Sequence, residues 1–97
     1  MAKKTAKKVE FDKYVYYEKS VQNPSNEVNF FNDKYTSIKG RKALTLREDF
    51  CGTGAISCEW VKQSEEHFSW GVDLDPEPVE WGQKNHVTQL DDSEKTR

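Results

Sequence analysis

The stretch LREDFCGTGAISCEW, from Leu46 to Trp60, constrains the fold more than any other part of the chain. An apolar approach, an acidic turn, two glycines one residue apart and an unbroken helical run describe a strand that ends in a tight loop and re-enters as a helix. Residues 43–46 are expected to be the strand, with Arg47, Glu48 and Asp49 leading it out of the apolar layer. The loop follows from Phe50 to Gly54, and the helix from Ala55 until the polar run 63–66. A second extended segment is expected over 67–72, closed by Asp73. Pro76 and Pro78 then mark a helix start, with Val79 and Trp81 as its buried residues and Gly82 and Asn85 weakening it.

Two helices precede this unit. Phe11, Tyr14 and Tyr17 fall at helical spacing, with Tyr16 off that face, and read as an aromatic stripe packed into a core. The next helix has both ends marked: Asn23 caps it, Pro24 suits its first position and Gly40 closes it. Val28, Phe31, Tyr35 and Ile38 are its expected apolar face. The element order is thus αα-βαβα, with residues 1–9 as a basic tail, 10–40 as a helical cover and 41–97 as the start of an α/β domain.

Ninety-seven residues make at most one domain. Hydrophobic residues are 34% and charged residues 33%, with a mean hydropathy of -0.99, so a partial or poorly covered core is expected. The lysines of MAKKTAKK could touch nucleic acid or an acidic surface, but a short terminal Lys tract reads first as a solvated tail. No apolar run approaches the ~20 residues that span a bilayer, and the start lacks the apolar region of a signal peptide, so a cytoplasmic protein is expected. Cys51 and Cys58 suit reduced thiols. With His67 and His86 they lack the close pairing of a zinc module, and no metal site is expected.

A strand, a glycine loop and a helix in a parallel pair place the loops at the strands' C-terminal ends, where a ligand crevice forms. Gly52 and Gly54 would let a ligand approach backbone N–H groups, and the helix would offer its positive end. The competing role for these glycines is turn geometry with positive φ. Asp73, about 20 positions downstream, stands where an acidic residue bonds ribose hydroxyls. Its competing role is to cap the helix ahead of Pro76.

The run E-D-F-C-G-T-G followed by G-V-D-L-D-P resembles the first two motifs of class I S-adenosylmethionine-dependent methyltransferases, over roughly residues 44–86. That family reads acidic-x-G-x-G-x-G after its first strand and an acidic residue after its second. The resemblance implies a Rossmann-like methyltransferase fold, here incomplete, with S-adenosylmethionine as cofactor. It places Cys51, Gly52, Thr53 and Gly54 in the cofactor loop, Asp73 on the ribose and Leu74 beside the adenine. Glu48 takes the family's acidic position. Phe50 stands where the first glycine is usual, and burial habits favour its ring in the core over a role covering the cofactor. Arg47 would either reach the methionyl carboxylate or form a solvated pair with Asp49.

The rival ligand is a dinucleotide such as NAD or FAD, for which G-x-G-x-x-G aligns Gly52, Gly54 and Ser57; serine at the third position weakens it. A rival outside enzymes is a helical interaction module built on Tyr14, Tyr17, Phe31 and Tyr35. Acceptor residues of the family usually follow later strands. The methyl acceptor therefore stays unidentified, and the expectation is an N-terminal piece of a longer methyltransferase, or a chain completed by another polypeptide, inactive alone.

Overall fold

The computed structural model describes residues 12–21 and 23–97. The basic tail and Phe11 lie outside the described residues. Helix α1 spans Lys13–Val21 and helix α2 Pro24–Lys39. Strand β1 (Thr45–Asp49) leads into helix α3 (Ala55–Lys62), and strand β2 (Phe68–Val72) into helix α4 (Pro76–Asn85). A 3-10 turn at Val87–Gln89 and a short helix α5, Asp92–Lys95, follow. The architecture is mixed helix and strand around a two-stranded parallel sheet, in register from Thr45 opposite Phe68 to Asp49 opposite Val72.

Local chemistry explains the helix ends. Asn23 accepts a hydrogen bond from the Asn26 N–H, and Gly40 closes α2 in a left-handed conformation with its N–H on the Thr36 carbonyl. Asp75, rather than Asp73, caps α4, accepting from the Glu77 N–H at 3.1 Å.

The core lies between α2, α3 and the turn after α4. Val28, Ile56, Cys58, Trp60, Val61 and Leu90 are buried together, with Tyr35, Leu46 and Val87 packed on them. Trp60 is 1% exposed, donates its indole N–H to the Leu44 carbonyl at 3.3 Å and stacks on His67 with centroids 4.0 Å apart. Cys58 sits in this core, where burial pushes its thiol up to about 11.

Four expectations change. Strand β1 begins at Thr45 and keeps Arg47, Glu48 and Asp49 inside it. Only one face of the sheet is covered, by α3, so the strand can carry charges on the other: Thr45, Arg47 and Asp49 alternate outward beside Phe68, Trp70 and Val72, all exposed. Helix α2 packs on α3 along a narrow face, so it buries Val28 and half-buries Tyr35, while Phe31 and Ile38 stay exposed. Residues 87–97 close the fold: Leu90 is buried, and Arg97 donates to the Ser64 carbonyl at 2.6 Å and accepts from the Ser69 N–H at 2.9 Å.

The third change concerns Gly82, read as a weakness in α4. It is the buried point of that helix, and a Cβ there would stand 1.8 Å from the Thr53 carbonyl oxygen. Glycine permits α4 to lie directly against the glycine loop. The fourth is that Val79 and Trp81 are half-buried rather than buried.

Candidate functional site

The loop after β1 turns sharply because three of its residues adopt positive φ: Phe50 at 59°, Gly52 at 58° and Gly54 at 77°. Phe50 is unusual as a non-glycine residue in this region. Its ring is 83% exposed, so it does not join the core. The sharp turn carries it outward, against the burial habit of phenylalanine. Gly54 sits at the N-cap of α3 and serves turn geometry.

Asp73 holds this loop from the second strand. One carboxylate oxygen accepts from the Gly52 N–H at 2.8 Å and the other from the Asp75 N–H at 2.9 Å. These backbone donors hold the Asp73 carboxyl below its usual range. A carboxylate can accept more than these two hydrogen bonds, and Asp73 lines the cavity. On the other wall, Glu48 accepts from the Ser57 hydroxyl at 2.8 Å, and the Ser57 backbone N–H also favours its charged form. Burial outweighs both and raises the Glu48 carboxyl. Cys51 lies between the two carboxyl groups. Burial first, then the negative charges of Glu48 and Asp73, raise its thiol and make it a poor nucleophile.

These groups line a cavity of about 440 Å³, within the span of roughly 300–1,000 Å³ usual for small-molecule sites. It opens at the C-terminal ends of both strands, where α/β folds place ligands. Glu48, Phe50, Cys51, Gly52, Thr53 and Asp73 are brought together there. Arg47, Gly54 and Leu74 are not on its wall. Arg47 lies on the open sheet face, in an exposed pair with Asp49 at 2.9 Å, the solvated alternative. Leu74 is 92% exposed. A second cavity of about 570 Å³, lined by residues such as Asn32, Lys42 and Gln63, lies before the strands begin and gathers none of the predicted residues.

Sequence reasoning missed the wall built by α1. Lys13, Tyr14 and Tyr17 line the cavity, as does Pro78 of α4. Tyr14 donates to Glu77 Oε1 at 2.8 Å, and Lys13 Nζ stands 2.9 Å from the same oxygen. Trp81 Nε1–H donates to Asp12 at 2.8 Å, and its ring meets Tyr14 at 5.4 Å. Glu18 accepts from the Thr53 hydroxyl and, at 2.8 Å, from His86 Nε2–H. The aromatic stripe was the available signal; its described members Tyr14 and Tyr17 line a cavity instead of a core.

No protein-family model, curated protein or solved structure matches this chain. The functional reading rests on the site's own chemistry.

Proposed function

We propose that this chain is the S-adenosylmethionine-binding portion of a class I methyltransferase, with a Rossmann-like fold beginning at β1 and an acceptor of unidentified class. The observation that carries this reading is the charge of the loop. In a dinucleotide site the helix N-terminus faces a pyrophosphate. Here the first turn of α3 already bonds the chain's own Glu48 through Ser57, and Asp73 holds the Gly52 N–H. A pyrophosphate would meet two carboxyl groups. A ligand with a positive centre and neutral hydroxyls fits them, and the rings of Tyr14, Tyr17 and Phe50 on the same wall favour a cation further.

In this reading Asp73 accepts the ribose hydroxyls and Glu48 faces the positive end, while α1 excludes water. The bound cofactor supplies a methyl group on a sulfonium centre. Transfer is an in-line displacement, so the residues present act by orienting and desolvating the reacting ends.

Calorimetric titration tests the reading. S-adenosylmethionine and S-adenosylhomocysteine should bind and NAD should not; heat from NAD alone overturns it. Asp73→Ala should weaken nucleoside affinity by more than about tenfold, because hydrogen bonds to a charged acceptor are lost. Because Asp73 also holds two backbone N–H groups, the variant should melt earlier as well, and affinity is to be read at a temperature where it is folded.

A further inference from the structure

A ligand bearing an amino-acid end brings a carboxylate into a cavity already walled by Glu48 and Asp73. Some cation must receive it. Arg47, the candidate by sequence, points to the opposite face of the sheet and bonds Asp49. Among the described residues on the cavity wall, Lys13 carries the positive charge. Its ammonium is 2.9 Å from Glu77 Oε1 and 5.2 Å from the Tyr14 ring centroid. An ammonium has three donors, so one contact with Glu77 leaves others for a second carboxylate. The four-carbon stem of Lys13 is flexible, so the ammonium can turn from Glu77 toward the cavity.

We infer that Lys13 binds the carboxylate of the ligand's amino-acid end, so that α1 is the wall that distinguishes an amino-acid-bearing nucleoside from a bare one. This rests on the S-adenosylmethionine reading above. Tyr14 positions the ammonium: its hydroxyl shares Glu77 with Lys13, and its ring lies beneath the charge.

The test compares two probes that share the thioether nucleoside and differ in the amino-acid end, S-adenosylhomocysteine and 5′-methylthioadenosine. Each is titrated calorimetrically into the wild-type chain and into Lys13→Met and Lys13→Arg. Lys13→Met should weaken S-adenosylhomocysteine about tenfold, the low end for a charge-assisted contact at an exposed side chain, and leave 5′-methylthioadenosine unchanged. Lys13→Arg should restore most of the loss. Equal weakening of both probes would mean that Lys13 only fastens α1, and unchanged S-adenosylhomocysteine affinity would remove it from the site; either overturns the inference while the cofactor reading stands. Wild-type protein that binds neither probe overturns both.

Discussion

Helices α1 and α3 both reach the glycine loop, and they are held there by different forces. Helix α3 starts from Gly54 and buries Ala55, Ile56, Cys58, Trp60 and Val61. Helix α1 has no buried side chain among its described residues. Its attachments are mostly polar: Tyr14 and Lys13 to Glu77, and Glu18 to Thr53 and His86, with the Tyr14 ring against Trp81 as the exception. Apolar burial is lost only when the core opens, whereas hydrogen bonds exchange with water at a small net cost. The lesson is that α3 belongs to the cooperative unit and α1 is a wall that can leave the loop while the core stays folded.

Trp60→Ala tests the firm side of this contrast and should have the largest effect. Removing a fully buried indole should cost about 3 to 5 kcal/mol, seen as a large drop in the midpoint of thermal or denaturant unfolding. A small loss would mean that the core between α2 and α3 is not the source of stability.

Glu18→Gln tests the loose side. It weakens both links at once, yet global stability should fall by no more than about 1 kcal/mol because both partners keep access to water. Amide hydrogen exchange over residues 13–21 should speed up markedly while that of 55–62 is unchanged. A melting loss as large as that of Trp60→Ala would erase the distinction between the helices.

The smallest effect concerns Glu48, where the cavity meets α3. Its folded carboxyl is raised above 4.5 by burial, so the folded state favours the proton. Stability from this group is greatest at and below the unfolded value and declines as pH rises through the higher folded value. Glu48→Gln keeps an acceptor for Ser57 without the charge. The variant should therefore gain on wild type between pH 4 and pH 7, measured as the difference in melting temperature at each pH. That difference cancels the opposite contributions of Asp73 and Glu77, whose carboxyl groups are lowered in both proteins.

What could be read from the sequence was what is decided within a few residues. Asn23, Pro24 and Gly40 punctuate α2 by their own backbone chemistry, and Gly52, Gly54 and Asp73 mark the loop in the same way. The buried face of α2 and the start of β1 were harder, because both depend on how the layers pack. Helix α2 meets α3 along a narrow face that leaves Phe31 and Ile38 exposed, and the charges of β1 lie on a sheet with one side open. Phe50 was misplaced because burial propensity is blind to a turn that points the ring outward. The contacts of Lys13, Tyr14 and Glu18 were out of reach for another reason. Their partners Glu77 and His86 lie more than sixty positions away, and no local pattern records such a contact.

The close fit of Gly82 on the Thr53 carbonyl gives the glycine loop a hard stop. Behind it stands helix backbone, which cannot swing aside as a side chain can, and in front of it lies the cavity. The loop cannot yield toward α4. A molecule pressing into the cavity therefore meets a surface already braced for it, and little of its affinity is spent on stilling the loop.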